Sequence, residues 1–416
     1  MLRSIAITAT ALIVLATTSL GSGADVSWPG WLGPQRDGWV DDFQPPSTWP
    51  QKLTRVWQVE VGTGYGSPLV ADGRVYQHAR QGDDEVVWCV DLQSGDVKWR
   101  ESVAVPFKMG GGGERHGKGP KSSPMLADGR VFTMSITGVL SAWAANSGER
   151  LWRRDYSEQF EKGHPYWGAS TSPIVDGNRV VVHFGTDGEG ALVALDAATG
   201  EEVWKHGQDA PSYSSPLLVE IEGVRQIVEW NQRVLTGVDA DSGKLLWEYP
   251  FPQVTTDQNM PTPAFHEGRV LLGGENRGVH SFEPKLENGS WSVQSHWHQE
   301  KVALDMSSAV INGELLYGFS HYGRGRYFCL DTDTGEVLWQ GPGRTGDNVM
   351  FLSIPGYVVA LVNNGRLDII TATGERYEKV ASYEVSDEPT WAPPVLLNNK
   401  ILVKDHKTLT LWSLEE

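Results

Sequence analysis

Side chains that could bind a ligand are concentrated in irregular segments between repeated hydrophobic runs. They combine guanidinium, imidazole, indole, carboxylate and amide groups. Such a mixture suits a polar ligand or a peptide, since arginine pairs with carboxylates and aromatic rings offer stacking surfaces. The candidate ligand-binding residues are His78, Arg80, Arg115, His116, His164, Trp167, Trp230, Asn231, Asn259, Asp305, His321 and Asn363. Their spacing matches no catalytic set and no metal-ligand motif, so neither a catalytic residue nor a metal site is predicted.

Two further motifs resemble binding sites but depart from them at a decisive point. Segment 112–119 approaches a phosphate-binding loop, yet Gly119 stands where Ser or Thr would ligate magnesium, and no helix pattern follows. The run Asp331-x-Asp333-x-Gly335 is shorter than the calcium-binding loop of an EF-hand. Neither motif therefore predicts nucleotide or calcium binding.

The elements that must position the candidate residues are repeats. A turn of the form Asp-x-x-Ser/Thr-Gly-x-x-x-Trp recurs, with small variations, at 91–99, 145–152, 196–204, 239–247 and 331–339, with weaker echoes at 283–297 and 371–380. A second element, a Ser-Pro-like start to a hydrophobic run, precedes each copy. Eight such starts occur near positions 67, 123, 172, 215, 262, 308, 350 and 393, at intervals of about 40 to 56 residues. This period is typical of propeller blades.

Each repeat predicts four short antiparallel strands, and the two hydrophobic faces of such a sheet become buried when sheets pack around a channel. The eighth unit ends at Glu416 after three strands, whereas segment 53–61 has the fourth-strand pattern with no strands before it. We therefore predict an all-β, eight-bladed β-propeller whose last blade is completed by an N-terminal strand. The expected organisation is a signal peptide at 1–24, an extended Trp-, Pro- and Gly-rich lead-in at 25–52, and a single propeller domain at 53–416.

Residues that recur at one repeat position are expected to serve the fold. Six tryptophans end fourth strands and are interpreted as packing residues between blades: Trp57, Trp99, Trp152, Trp204, Trp247 and Trp339. Cys89 and Cys329 also share one repeat position, in different blades, so buried unpaired thiols are predicted rather than a disulfide.

In a propeller, the loops from fourth to first strand and from second to third strand open on the same face. The candidate residues fall in or beside these loops, which differ from blade to blade. Loops carry function more often than the strands, which are committed to packing. The candidates are therefore expected to converge at one mouth of the channel.

The N-terminal segment and the charge favour an exported protein. Residues 1–24 combine Arg3, an apolar stretch at 5–15 and small residues at 22–24, which is typical of a signal peptide, with a retained anchor as the alternative. No cysteine follows the apolar stretch, so a lipid anchor is not expected, and no transmembrane span is predicted for the mature chain.

A net charge of −17 argues against nucleic acid or anionic membrane as partners. A secreted or periplasmic monomer is the resulting prediction.

The repeat resembles that of the pyrroloquinoline-quinone (PQQ) repeat family, most clearly at 194–204, which reads Ala-Leu-Asp-Ala-Ala-Thr-Gly-Glu-Glu-Val-Trp. The opening 28–38 resembles secreted bacterial PQQ-like propellers. Within this family, the outer-membrane assembly factor BamB has the repeats without PQQ and is a scaffold for proteins. The resemblance therefore implies a non-catalytic binding or scaffold propeller, with a protein or small polar ligand at one mouth and no cofactor.

Two alternatives remain open. In quinoprotein alcohol dehydrogenases of this family, PQQ lies in the mouth with a calcium held by Glu, Asn and Asp, and an Asp acts as base. Alcohol-oxidising members also have a disulfide between adjacent cysteines, which this chain lacks. Carbohydrate binding is the third possibility, because several tryptophans are not explained by the repeat.

Overall fold

The computed structural model describes residues 27–109, 116–158, 167–254 and 258–415. These residues form thirty-two strands in eight four-stranded antiparallel sheets. The predicted all-β, eight-bladed propeller is thereby confirmed. Within the described residues, no helix is both long and apolar enough to cross a membrane.

The first strand along the chain, β1 (Thr54–Glu60), belongs to the last blade, and the next sixteen strands build blades 1 to 4. Blade 1 contains β2 (Leu69–Ala71), β3 (Arg74–Gln81), β4 (Asp84–Asp91) and β5 (Val97–Ala104). Blade 2 contains β6 (Met125–Ala127), β7 (Arg130–Met134), β8 (Val139–Ala144) and β9 (Arg150–Asp155). Blade 3 contains β10 (Ile174–Asp176), β11 (Arg179–Phe184), β12 (Ala191–Asp196) and β13 (Glu202–His206). Blade 4 contains β14 (Leu217–Ile221), β15 (Val224–Trp230), β16 (Val234–Asp239) and β17 (Leu245–Pro250).

The remaining strands build blades 5 to 8. Blade 5 contains β18 (Ala264–His266), β19 (Arg269–Gly273), β20 (Val279–Glu287) and β21 (Ser290–Gln299). Blade 6 contains β22 (Val310–Asn312), β23 (Leu315–Ser320), β24 (Arg326–Asp331) and β25 (Val337–Gln340). Blade 7 contains β26 (Val349–Ile354), β27 (Tyr357–Val362), β28 (Arg366–Thr371) and β29 (Lys379–Glu384). Blade 8 contains β30 (Val395–Leu397), β31 (Lys400–Lys404) and β32 (Thr408–Ser413), with β1 as its fourth strand.

Strand β1 closes the ring as predicted. It pairs antiparallel with β32, and Trp57 lies opposite Leu411 in the register. The two ends of the chain therefore share one sheet, so every blade has four strands.

The Asp-Gly turns form the hairpins between the first and second strands. Asp72 and Gly73 both have positive φ, at 49° and 69°. This is the requirement of a two-residue type I′ turn, whose twist matches that of the strands it joins. The sequence therefore sets the register at the inner end of the blade.

Repeat tryptophans join neighbouring blades. Nε1 of Trp152 donates a 3.0 Å hydrogen bond to the carbonyl oxygen of Ala197 in the next blade. Its indole also covers Gly200, where a Cβ would lie 2.7 Å from the ring, so the turn glycine leaves room for the tryptophan. Trp247 departs from this pattern and donates to Gln226 of its own sheet, because blade 5 has the long β20–β21 hairpin instead of the repeat turn.

Residues 27–40, here called the strap, lie across the channel. The backbone of Trp28 exchanges two hydrogen bonds with Val70 in blade 1, and Val40 donates to Ser353 in blade 7. Arg36 donates to the carbonyl oxygen of Pro173 in blade 3, at 3.0 Å. Because blades 3 and 7 are on opposite sides of the ring, the strap contacts the innermost strands across the whole channel.

Candidate functional site

A belt of hydroxyl groups ties the starts of six consecutive blades together. The backbone N–H of Ser172 donates to Oγ of Ser215, and that of Ser215 donates to Oγ1 of Thr262, both at 3.0 Å. Corresponding bonds of 2.8–3.0 Å make up the hydroxyl belt, which consists of Ser67, Ser123, Ser172, Ser215, Thr262 and Ser308. The repeated Ser/Thr is therefore a link between blades as well as the start of a strand.

One residue from each blade, two positions before its start, lines a cavity of about 400 Å³ at the mouth of the channel. We call these residues the cavity ring: Tyr65, Lys121, Ser170, Tyr213, Met260, Met306, Asn348 and Trp391. In blades 1 to 6, the hydroxyl belt holds the residues that follow them around one axis. His116, Trp167, Glu275 and Asp305 from the loops, and Trp31 from the strap, complete much of the wall.

Five aromatic side chains form a continuous arc along one side of this cavity. Tyr65 and Trp391 have ring centroids 5.6 Å apart, and Trp391 is also 5.6 Å from His116. His116 lies 6.4 Å from Trp167, which in turn lies 5.4 Å from Tyr213. These distances are in the range of favourable contacts between rings. The aromatic arc is therefore a wall of rings contributed by the starts of three blades and by two loops.

The other side of the cavity is lined by flexible apolar and acidic side chains. Met260, Met306 and Met350 provide adaptable apolar surface, and Glu275 and Asp305 provide carboxylates. Asn348 is buried, and its Nδ2 has no hydrogen-bond partner among the described residues. The two sides of the cavity thus differ in chemistry, with rings on one and carboxylates and an amide donor on the other.

Two cationic groups among the described residues lie in or beside the cavity wall. Nζ of Lys121 lies 4.6 Å from the centroid of the Tyr65 ring and donates weakly to the carbonyl oxygens of His116 and Gly117, at 3.5 and 3.4 Å. Burial lowers the pKa of Lys121 to about 8. Arg36 of the strap lies behind the wall at Ser172 and Pro173, and burial lowers its pKa to about 9.

Three of the predicted ligand-binding residues line the cavity, namely His116, Trp167 and Asp305. The structure thus brings together a minority of the predicted set. Arg115 and His164 lie outside the described residues, so the structure gives them no position.

The predicted residues of blade 1 are buried beside its second and third strands. Nε2 of His78 lies 3.1 Å from Oε2 of Glu85, while the other carboxylate oxygen accepts the backbone N–H of Ile136 in blade 2. Arg80 donates to the carbonyl oxygen of Val105 at 2.9 Å. The two side chains therefore hold the loops of blades 1 and 2 and do not line the cavity.

The predicted residues of blade 4 and the loop after it form a second structural group. Trp230 is fully buried and stacks on Phe251, with ring centroids 5.3 Å apart. Oδ1 of Asn231 accepts the backbone N–H groups of Arg233 and Val234, which closes the turn between β15 and β16. Nδ2 of Asn259 donates to the carbonyl oxygen of Asn231 at 2.7 Å. These groups hold loops in place behind the cavity wall.

Asn363 and His321 also lie behind or beside the wall. Oδ1 of Asn363 accepts the backbone N–H groups of Asp347 and Asn348, and thereby positions Asn348 of the cavity ring. Nε2 of His321 lies 3.1 Å from Oδ1 of Asn276. Neither side chain lines the cavity.

The predicted ligand-binding set contains none of the cavity ring, although the sequence carries a signal for it. The predicted residues are unusual polar side chains in or beside the loops, whereas the ring residues lie at a fixed offset from the start of each repeat. Tyr65, Lys121 and Tyr213 stand two residues before Ser67, Ser123 and Ser215. Comparing that one position across all eight repeats would have identified the lining.

Among the described residues of the cavity wall, no three His, Cys, Asp or Glu side chains lie close enough to share a metal ion. Within the described residues, the group of three potential ligands close enough to share a metal ion is His266, Glu267 and Glu314. These lie in the turns between first and second strands, at the opposite face from the cavity. Glu275 and Asp305 belong to no such group. Lys121 is the one Lys or Arg side chain in the described lining that could pair with the carboxylates of PQQ.

Comparison with known proteins agrees with the repeat. The family model described as outer membrane protein assembly factor BamB matches residues 83–341. The chain is 25% identical over 228 residues to BamB of Moranella endobia, covering 54% of this chain and 53% of that protein. It is 33% identical over 326 residues to quinohemoprotein alcohol dehydrogenase ADH IIB of Pseudomonas putida, covering 67% of this chain and 43% of the enzyme. The chain therefore spans about half the length of these curated relatives.

A solved structure shares the fold. The crystal structure of BamB from Moraxella catarrhalis superimposes with a TM-score of 0.63 at 13% identity, covering 88% of this chain and 98% of that one. The match to the family model extends over more than half of the chain and includes the complete repeat turns of blades 1, 2, 3, 4 and 6. The chain is thus a member of the PQQ-like repeat propeller family described as outer membrane protein assembly factor BamB.

Proposed function

We propose that this protein is a non-catalytic binding or scaffold propeller that recognises a protein or a small polar ligand in the cavity at the mouth of its channel. One observation carries the proposal. The hydroxyl belt repeats the same chemistry in six blades, whereas the cavity ring directly in front of it varies in almost every blade. The hydroxyl belt serves the assembly of the repeats, whereas the varied side chains of the cavity ring supply a lining with chemical selectivity.

The relatives support a protein as the natural partner. Several are outer membrane protein assembly factors, and assembly requires contact with other proteins. The strongly negative charge and the pattern of residues 1–24 support a role outside the cytoplasm after export.

The competing function is a PQQ- and calcium-dependent dehydrogenase, which the similarity to quinohemoprotein alcohol dehydrogenase ADH IIB favours. The cavity gives it no further support, since Glu275 and Asp305 belong to no group of three His, Cys, Asp or Glu side chains that could share a metal ion among the described residues. Carbohydrate binding draws support from the aromatic arc alone.

Site-specific photocrosslinking tests the proposal in the organism that makes the protein. Replacing Trp167, in the cavity wall, by p-benzoylphenylalanine is expected to trap one defined partner. The matched control replaces Val203, which is exposed on the outer strand of blade 3, and is expected not to trap that partner. Trapping from Val203 alone would move the binding surface away from the mouth and contradict the proposal.

The dehydrogenase is tested on the purified mature chain. PQQ and calcium are added together while tryptophan fluorescence and dye-linked oxidation of alcohols are followed. We expect neither saturable quenching nor turnover. Turnover that depends on both additions would establish the enzyme and overturn the scaffold function.

A further inference from the structure

The aromatic arc and the carboxylates of the cavity face each other across a space of about 400 Å³. The arc offers the π-faces of two tryptophans and two tyrosines, and such faces attract cations because their quadrupole is negative over the ring. Asp305 and Glu275 add formal negative charge to the same lining. A positively charged organic group would therefore be attracted both by the rings of the arc and by the carboxylates.

The chain already places one of its own cations against the arc. The ammonium group of Lys121 lies 4.6 Å from the centroid of Tyr65, within the range of a cation–π contact. Among the described residues, its hydrogen bonds go to carbonyl oxygens, and it forms no ion pair with a carboxylate. The site therefore holds an ammonium by ring and carbonyl contacts, which is the interaction that an incoming cation would repeat at Trp391 and Trp167.

The balance of charge in the lining disfavours an anionic ligand. In the part of the lining that the structure describes, two carboxylates stand beside the single ammonium of Lys121, and burial lowers the pKa of that ammonium to about 8, so part of its charge is lost in mildly alkaline solution. Arg36 is turned to the carbonyl oxygens of Ser172 and Pro173. The net charge of −17 for the whole chain adds a field that attracts cations to the mouth.

We propose that the cavity binds an organic cation, an ammonium or guanidinium group, between the aromatic arc and the pair Asp305 and Glu275. This inference rests on the proposed function, in which the cavity is the ligand site. The cation is carried either by a small molecule or by a basic side chain of a peptide segment. The buried Nδ2 of Asn348 supplies a donor for a carbonyl oxygen next to that cation.

The test compares cations with a neutral molecule of the same shape. The purified mature chain is titrated with benzyltrimethylammonium, with its neutral isostere neopentylbenzene, and with the peptide Gly-Gly-Arg-Gly-Gly, while tryptophan fluorescence and heat are measured. Benzyltrimethylammonium is expected to bind at least about tenfold more tightly than the isostere. Tighter binding of the peptide than of the small cation would assign the cation to a protein segment, and the reverse order would assign it to a small molecule.

Variants separate the two walls. Trp391→Leu is expected to weaken binding of the cation about 2- to 30-fold, the range of a cation–π contact. Asp305→Asn and Glu275→Gln are expected to weaken the cation and to leave the neutral isostere unchanged. The matched control is Asp333→Asn, an exposed carboxylate at a repeat turn outside the cavity, which should change neither.

Two results would overturn the inference. Equal binding of the cation and the isostere would show that charge is not recognised. If no cation binds while the Trp167 crosslink to a partner persists, the inference that the cavity binds an organic cation is refuted and the proposed function stands. Loss of the crosslink together with intact cation binding would instead contradict the proposed function alone.

Discussion

Nε1 of Trp57 donates a 2.9 Å hydrogen bond to the carbonyl oxygen of Leu92, and this bond joins the last blade to the first. Trp57 lies on β1, the strand that completes blade 8, and its indole covers Gly95 in the repeat turn of blade 1. Trp99 makes the same bond to Ala145 between blades 1 and 2. The ring is therefore closed by the same contact that joins its internal blades.

The first prediction concerns this closing contact. Trp57→Ala removes a mostly buried indole and its interblade hydrogen bond, so we expect the free energy of unfolding to fall by about 3 kcal/mol or more. Val56→Ala, at an exposed position on the same strand, is the matched control. Chemical unfolding followed by circular dichroism measures both. Deleting segment 53–61 should destabilise the whole ring, and unchanged thermal stability after that deletion would refute closure through β1.

The second prediction concerns the hydroxyl belt. Ser172→Ala removes the acceptor for the buried backbone N–H of Ser123, and an unsatisfied buried donor costs about 1–3 kcal/mol. The control, Ser147→Ala, alters an exposed repeat turn and should have a much smaller effect. Urea unfolding midpoints provide the comparison. If both variants lose the same stability, the belt is not a structural link between blades.

The third prediction follows from Lys404, which is fully buried and donates to the carbonyl oxygens of Gly64 and Asp405. Burial lowers its pKa to about 7. The unfolded chain therefore binds more protons than the folded chain between about pH 7 and 10.5, and this group makes stability rise with pH across that window. Lys404→Met should be more stable than the parent by about 2–4 kcal/mol at pH 6, with the difference shrinking toward pH 10.

Unfolding of the parent and of Lys404→Met at pH 6, 8 and 10 measures this difference. Lys205→Met, at an exposed position of β13, is the control and should show a difference that does not vary with pH. A constant difference for Lys404→Met would mean that the buried amine does not titrate in this range.

The fourth prediction concerns the buried pair of His183 in blade 3 and Glu229 in blade 4. Burial disfavours the charged imidazole, but the carboxylate of Glu229, which contacts Nδ1, raises the pKa of His183 above 6.5 overall. The stabilisation from the charged pair is therefore complete below about pH 6.5 and is lost as pH rises through the raised pKa.

Glu229→Gln should therefore cost about 3 kcal/mol at pH 6 and less at pH 9. The exposed carboxylate of Glu248 provides the control variant, Glu248→Gln. Lys404 makes the free energy of unfolding rise with pH over part of this range, whereas the His183–Glu229 pair makes it fall. The difference in free energy of unfolding between variant and parent is therefore compared at each pH. A cost for Glu229→Gln that grows with pH would show that the pair is not charged in acid.

The fold could be predicted because its determinants are local and repeated. Asp72-Gly73 specifies a hairpin, and the spacing from a turn glycine to its tryptophan recurs in blade after blade. Because each local pattern recurs in several blades, its repetition makes the assignment of strands secure. The strand around Trp57, which has no strands before it in sequence, supplies the fourth strand that blade 8 lacks after β32. The identity and number of blades therefore needed no tertiary information.

The candidate site was only partly predictable, for a different reason. His78 and Asn259 look functional in sequence, yet each side chain contacts a buried partner, Glu85 or the Asn231 carbonyl group, that the sequence pattern does not reveal. Whether a polar side chain binds a ligand or closes a loop depends on what the fold places beside it.

By itself, the sequence determined the eight blades, their order and the closing strand, since these follow from local propensities and a repeating pattern. The tertiary structure alone decided which side chains share a cavity. Tyr65 and Trp391 lie near opposite ends of the chain, and their rings are 5.6 Å apart because closure brings blades 8 and 1 together. The cavity exists only around the common axis, where eight distant positions converge.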